Sequence, residues 1–348
     1  MRILSIGAFS TYGISNTCLH RNWALKELAD VDEIDSSLMR FEFLYRVLSF
    51  LFRKRIISIP FNYRSLNKTI MKMVETNKYD VIWIDKGIHI KAKTLQFIKK
   101  TSKGTLIVGY SPDNMAERHN QSVHFLQSFH LYDYYVTTKS YTIDALKQLG
   151  CEKIIFVNNA YEPQFHHPYS LTCEERQRLG GQIGFIGAWE KERCTSILYI
   201  AQKGLPVRVW GGGKWLNYKG LYPNLKIEDV GLFSEDYNKA LSAFDISLCF
   251  LRKVNFDVQT TRTMEIPACK SMLMAERTDE HKMLFAEDYE AVYFSGDEEL
   301  YEKCKYYIEH PTERQAITEN GYKRCISSGY SNKETLKRVL DLVVQDNS

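Results

Sequence analysis

The chain is 348 residues long, 44% apolar and 25% charged, with a formal net charge of +4. That length exceeds what one hydrophobic core usually serves and predicts two domains, in a soluble globular protein rather than a disordered or fibrous one. The mild basic excess suits an anionic ligand or a membrane surface, and the lack of a Lys/Arg stripe argues against nucleic acid as a partner.

Residues 2–7, RILSIG, predict a short buried strand, too brief an apolar run for a signal peptide. A glycine-bearing polar loop follows, then a helical pattern over 17–29 through Leu19, Trp23, Leu25 and Leu28. Asp30 and Asp32 form an Asp-x-Asp of the kind that can hold a divalent metal, but at the exit of the first helix and the entry of the next strand, away from the expected ligand site, they read as a solvated turn. Residues 41–60, FEFLYRVLSFLFRKRIISIP, mix apolar side chains with Arg46, Arg53, Lys54 and Arg55. They read first as a core-facing helix with a basic end; the alternative is an interfacial helix docking on anionic lipid. The runs 79–85, 104–111, 132–138 and 152–160 are apolar and β-branched, with helices predicted at 63–76 and 139–149. Such alternation indicates a parallel sheet covered on both faces.

After residue 160 the periodicity lapses, and residues 164–180 are the predicted linker. A second alternating series then begins. Strands are expected at 181–189, 205–211, 225–231, 245–251, 271–276 and 291–295, and helices at 192–203, 234–243, 297–309, 311–327 and 331–345. The eight cysteines form no Cys-x-x-Cys and have no histidine at zinc-ligand spacing, so they read as reduced thiols of a cytosolic protein. No run is long enough to span a bilayer.

Two α/β halves direct attention to the carboxyl ends of their strands, where such sheets bind ligands. The loop GAFSTYGISN after the first strand holds Gly7, Ser10, Gly13 and Asn16, a pattern that suits an anion at a helix N-terminus but is not the G-x-G-x-x-G of nicotinamide binding. GFIGAWEKERCTS (184–196) repeats the strand, glycine turn and helix start, with Gly187, Lys191 and Arg193 placed to hold a diphosphate; a solvated charged turn is the plain alternative. WGGGKW (210–215), with Gly211, lacks phosphate-loop spacing and reads as a flexible strand exit. GYSPDNMAERHN (109–120) and IDKGIH (84–89) leave their strands in one direction and bring Asp113, His119 and Lys86; His89, His119 and His124 are the only histidines so placed.

The most unusual stretch is NFDVQTTRTMEIPACKSMLM (255–274). Thr260 or Thr261 is expected to cap a helix carrying Arg262 and Glu265. Glu265, an acid among apolar neighbours, is suited to accept two adjacent hydroxyls, as on a ribose; Asp257 would take hydroxyls of a second sugar and Arg262 a phosphate between them.

Asp257 and Glu265 have seven residues between them, as in the Glu-x7-Glu motif of retaining GT-B glycosyltransferases of family 4, which the chain resembles. The run Arg262-Thr-Met-Glu265-Ile-Pro-Ala268-Cys269 is similar to the R-x-x-E-x-x-A-C of the CgeB-type (spore maturation protein) branch. VNNAYEPQFHHP (157–168) and GFIGAWEKER resemble that family's linker and its first carboxyl-domain turn. The chain departs in having Asp257 for the first glutamate and Lys270 for the usual glycine. The resemblance implies a GT-B α/β fold of two Rossmann-like domains facing across a cleft. Residues 1–163 would form the acceptor domain and 181–328 the nucleotide-sugar donor domain, with residues 329–348 crossing back onto the first. It further implies a metal-independent, retaining transfer from a UDP-, GDP- or dTDP-sugar to a glycan, lipid-linked or protein acceptor in cell-surface polysaccharide synthesis. The enzyme would be a cytoplasmic monomer or weak dimer, with peripheral membrane contact through 41–60 as the alternative. Asp257, Arg262, Asp113 and His119 would be catalytic. Glu265, Arg193, Lys191, Gly187, Thr260, Thr261 and Gly211 would hold the donor; Gly7, Ser10, Gly13, Asn16 and Lys86 would hold the acceptor or a phosphate. A sugar-nucleotide epimerase of the same fold and a silent glycan-binding scaffold are the alternatives.

Overall fold

The computed structural model describes residues 1–11, 13–39, 47–48, 50–52, 54–57 and 65–346. The chain divides into two compact units: Met1–Asn158 with Lys333–Ser348, and Asn159–Asn332. Each is built on one six-stranded sheet in which every pairing is parallel.

In the first unit the strands are β1 (Arg2–Gly7), β2 (Asp30–Asp35), β3 (Val81–Asp85), β4 (Leu106–Ser111), β5 (Tyr134–Thr137) and β6 (Ile154–Phe156), ordered β2-β1-β3-β4-β5-β6. Successive side chains on a strand point to opposite faces, and the core divides accordingly. Leu4, Ile82, Ile84, Ile107 and Tyr135 pack with Ile70 and Ile98 on one face. Ile3, Val81, Trp83, Val108 and Tyr134 pack on the other. The second face is closed by the last helix, Asn332–Gln345, whose Leu336, Val339, Leu340 and Val343 fall at the i, i+3, i+4, i+7 spacing of a helical stripe. Burying each contributes about 2 kcal/mol. Two ion pairs fix its ends, Lys333 Nζ to Glu27 at 2.9 Å and Asp346 to Lys153 Nζ at 3.2 Å.

Asp30 and Asp32 lie not in a turn but in β2, an edge strand of sequence DVDEID. The Asp32 carboxylate accepts from Arg2 Nη2 and Tyr79 Oη, each at 2.8 Å, so it ties the sheet edge together. An edge strand tolerates charge because one side faces water, which is why its sequence resembles a turn. Most of the segment 41–60, read as a core or interfacial helix, lies outside the described residues. Of the described part, Phe52 is buried with the Arg118 guanidinium 4.3 Å from its ring centroid, and Phe50 and Ile56 are exposed.

The second unit contains β7 (Gly181–Ile186), β8 (Val207–Trp210), β9 (Leu225–Glu228), β10 (Phe244–Cys249), β11 (Met272–Glu276) and β12 (Val292–Phe294), ordered β12-β11-β10-β7-β8-β9. Ile183, Phe185, Val207, Val209, Ile246 and Leu248 pack against Ile197 and Ile200 of the helix Lys191–Gln202 and Leu300 of the helix Asp297–Glu309. Residues 164–180, expected as linker, belong to this unit, and within them Cys173–Leu179 is helical. Its start is fixed by a capping box, in which Thr172 accepts from the Glu175 N–H and Glu175 accepts from the Thr172 N–H.

Candidate functional site

The strand order sets where a ligand can sit. From β7 the chain proceeds outward through β8 and β9; from the adjacent β10 it proceeds the other way through β11 and β12. The two loops leaving the carboxyl ends of β7 and β10 therefore part, and the crevice between them is the switch point of an open parallel sheet. All the residues expected to hold a donor lie on these two loops, on the helices they lead into, or at the end of β8.

Leaving β7, the chain turns at Gly187 and starts the helix Lys191–Gln202. The end of β8 packs on this turn. Gly187 N–H donates to Trp210 C=O at 2.9 Å, and Trp215 Nε1 donates to Gly187 C=O at 3.0 Å. A Cβ on Gly211 would run into the Gly187 carbonyl oxygen and lie 2.7 Å from Trp215 Nε1, so glycine is required for this approach. WGGGKW is accordingly not a flexible exit but a packed joint followed by a 3-10 turn, Gly213–Tyr218. The Lys214 ammonium in that turn lies 4.8 Å from the Trp189 ring centroid.

Three guanidinium groups converge here. Arg193, 7% exposed, donates to Ala188 C=O at 3.3 Å and pairs with Glu190 at 3.1 Å. Arg252, on the loop after β10, pairs with the other oxygen of Glu190 at 2.8 Å. Burial holds Arg193 below the ordinary arginine value, against the pull of Glu190, and the charges of Arg262 and Arg252 lower it further. Arg262 opens the helix Arg262–Ala268, and its Nε, shielded from solvent, has no hydrogen-bond partner among the described residues. Lys191 is exposed at the first position of its helix.

Glu265 lies one turn beyond Arg262 and is 5% exposed. Tyr237 Oη donates to its Oε2, and His166 Nε2 lies 3.6 Å from its Oε1. The tautomer follows from the other ring nitrogen: Nδ1 accepts from the Glu162 N–H at 3.0 Å, so the proton of a neutral ring sits on Nε2 and faces Glu265. Burial keeps His166 neutral by lowering its pKa, despite the carboxylate beside it. Burial would raise the pKa of Glu265, but His166, Arg262 and the Tyr237 and Thr261 hydroxyls outweigh it and hold the acid ionised. His166 and Tyr237 were not expected in the site, since only His89, His119 and His124 were placed near a cleft. His89 and His124 are buried in the first unit. The signal for His166 was the acid itself, because a buried carboxylate requires donors.

Neither threonine caps the helix. Thr261 stands at its start in αR conformation with no side-chain cap bond, and the Thr260 hydroxyl lies 3.6 Å from Cys249 Sγ. The chain enters the helix already coiled, which turns the Thr261 hydroxyl toward Glu265 instead. Asp257 is half-buried in the preceding loop, with its N–H on Arg252 C=O at 3.2 Å, and follows Phe256, an exposed aromatic at φ 53°. A non-glycine residue in that region costs on the order of 1 kcal/mol. The loop is anchored behind it by Gln259, fully buried, which accepts from Asn159 N–H at 2.9 Å and donates to Glu280 at 2.6 Å.

In the first unit the corresponding switch point lies between β1 and β3. Gly7 ends β1 and Gly13 adopts φ 58° in the loop beyond. Ser10 and Asn16 are committed to closing that loop. Asp35 accepts the Phe9 and Ser10 N–H groups at 3.1 and 3.0 Å and the Ser10 hydroxyl. Asn16 caps the helix Thr17–Leu28 by accepting from Cys18 N–H at 2.9 Å. Burial raises the pKa of Asp35, but the hydrogen bonds from Ser10 and Ser37 more than reverse it. After β3, Lys86 takes φ 62° and its Nζ pairs with Asp113 at 2.5 Å. His119 is exposed, its Nε2 3.2 Å from Asn120 Nδ2. Beneath these lies a buried pair absent from the sequence reading, Arg21 with Asp85 at 2.7 Å, the guanidinium 4.3 Å from the Tyr110 ring centroid.

Comparison with known proteins agrees with this architecture. Residues 193–341 match a family model described as glycosyl transferase-like. Similar solved structures include Anabaena HepE in complex with UDP-glucose (14% identity, TM-score 0.61, covering 99% of this chain and 100% of that one). A glycosyltransferase from Rickettsia africae is similar too (13% identity, TM-score 0.63, 98% and 97% covered). So is sucrose-phosphate synthase from Thermosynechococcus elongatus (11% identity, TM-score 0.63, 99% and 98% covered). No curated protein matches the sequence. The fold is GT-B, two parallel six-stranded α/β sheets. The matched region, residues 193–341, is glycosyl transferase-like and lies mostly in the second unit.

Proposed function

We propose that the enzyme transfers a sugar from a UDP-sugar, with retention of configuration and without a metal, to a glycan, lipid-linked or protein acceptor of cell-surface polysaccharide synthesis, as the CgeB-type resemblance implies. The observation that carries the reading is the convergence of Arg193, Arg252 and Arg262 on the β7/β10 switch point beside the buried, ionised Glu265. HepE, a structural neighbour, has been seen with UDP-glucose, which favours UDP over GDP or dTDP.

In this reading the donor diphosphate lies over the Gly187 turn and the start of the helix Lys191–Gln202, where free N–H groups and the helix dipole favour an anion. Arg193 and Arg262 donate to its oxygens, and Lys191 adds charge. The Arg262 Nε, buried without a partner, finds one. A carboxylate has about four lone-pair sites; Glu265 uses some on Tyr237 and His166 and offers the rest to the ribose, while Asp257 takes hydroxyls of the donor sugar. As the glycosidic bond breaks, negative charge builds on the departing diphosphate. Preorganised guanidinium groups stabilise that charge without rearrangement, which is the main source of rate. The first unit takes the acceptor, with Lys86, Asp113 and His119 at the carboxyl ends of its strands. Among the described residues no helix is long and apolar enough to cross a membrane, and we place the enzyme in the cytoplasm.

The test is release of nucleoside diphosphate from a panel of UDP-, GDP- and dTDP-sugars with EDTA present. Release of UDP supports the reading. Interconversion of donors without release would make the protein an epimerase, and binding without either would make it a scaffold.

A further inference from the structure

Glu190 has a place in this site that the donor chemistry does not explain. It stands at the N-cap of the helix Lys191–Gln202, in extended conformation (φ −138°, ψ 150°), yet its side chain makes no cap bond to the helix's backbone N–H groups. The short side chains preferred at an N-cap (Ser, Thr, Asp, Asn) bond the N–H of the second or third helical residue; glutamate is longer and reaches past it. This one turns away, and each oxygen takes a different guanidinium: Oε2 pairs with Arg193 Nη2 at 3.1 Å and Oε1 accepts from Arg252 Nε at 2.8 Å. The carboxylate thus spans from the β7 turn to the β10 loop, across the same switch point where an anionic ligand would lie.

Building on the function proposed above, we propose that Glu190 is a built-in counterion that competes with the donor's diphosphate for Arg193 and Arg252, weakening nucleotide binding and easing departure of the nucleoside diphosphate product. Three like charges held close repel one another, and Arg193 is buried. A carboxylate between two of them keeps the cluster assembled. A diphosphate carries more charge and more acceptor oxygens, so it displaces a single carboxylate from the same forks. The Glu190 side chain is 21% exposed and Arg252 half exposed, so the acid has a path toward solvent when displaced. After transfer the carboxylate returns to the guanidinium groups and competes against rebinding of product.

The test is Glu190→Gln, which keeps the shape and removes the charge, measured by calorimetric titration with inorganic pyrophosphate, UDP and uridine. Pyrophosphate and UDP should bind roughly tenfold more tightly than to the wild type, with uridine unchanged, since only the phosphates meet the freed guanidinium groups. Glu190→Ser supplies a preferred capping residue at this position and should shift binding in the same direction, which guards against a folding defect in either variant. Unchanged or weaker pyrophosphate binding in both variants would overturn the proposal while leaving the donor site standing. Failure of the wild type to bind UDP, GDP or dTDP would overturn the functional reading and this inference with it.

Discussion

Replacing Arg193 with methionine separates a functional residue from a structural one. The substitution keeps an aliphatic stem in the pocket beside Phe185, whose ring centroid lies 5.6 Å from the guanidinium. It removes the Glu190 bridge at 3.1 Å and the bond to Ala188 C=O at 3.3 Å. Glu190 keeps Arg252 at 2.8 Å, so no buried anion is stranded. Against these losses stand the burial of the charge and the repulsion from Arg262 and Arg252, which already disfavour the charged form. A partly exposed pair contributes up to about 1 kcal/mol, and relief of burial offsets much of that, so stability should change by no more than about 1 kcal/mol. A charge-assisted bond to phosphate contributes about 1.5–3 kcal/mol, so UDP affinity should fall roughly ten- to hundredfold. Urea denaturation gives the first number and calorimetric titration the second. Loss of more than about 3 kcal/mol of stability with unchanged UDP affinity would refute the reasoning and make Arg193 a structural residue.

Glu265→Gln should destabilise the second unit by about 3 kcal/mol, because Arg262 loses its counter-charge in a shielded setting; it should weaken UDP binding but leave pyrophosphate binding nearly unchanged, which titration with both ligands checks. Burial lowers the pKa values of His166, His281 and His124 in the folded chain. The unfolded chain therefore binds more protons below about pH 6.5. Stability should fall as pH drops through 6.5 and level off below the folded values; His166→Gln should flatten that slope in urea midpoints measured between about pH 7 and 5. Gly211→Ala drives a Cβ into the Gly187 carbonyl. Backbone must yield, so we expect a loss of about 2 kcal/mol or more together with loss of UDP binding, whereas Gly213→Ala meets no atom, pays only for its φ of 57° and retains binding.

Much of the architecture was legible because burial on both faces leaves a strong pattern. Runs such as VIWID and LIVGYS admit little but a central parallel strand. The helices Asp297–Glu309 and Pro311–Ser327 fall where their periodicity places them. Of the edge strand DVDEID only the entry was legible and its acids read as a turn, since solvent on one side lets charge replace the apolar pattern. The helix Cys173–Leu179 was hidden in the supposed linker, although Thr172 and Glu175 carry a capping box. At the site, Glu265, Arg262 and Arg193 stood out through chemistry and spacing. Their partners did not. His166, Tyr237 and Arg252 come from a segment, a helix and a loop that only folding brings to the acid and the guanidinium cluster. Glu190 read as one charge in Glu-Lys-Glu-Arg, because sequence does not reveal that an N-cap side chain will bridge Arg193 of its own helix to Arg252 of another loop. Ser10 and Asn16 have the right chemistry for an anion, but Asp35 and the helix cap already engage them.

The most direct measurement is a crystal structure of the wild-type enzyme soaked with UDP. The account predicts both phosphates at the carboxyl ends of β7 and β10, within hydrogen-bond reach of Arg193 and Arg262, with the ribose toward Glu265. UDP bound with its phosphates away from those arginines, or at another strand end, would contradict it.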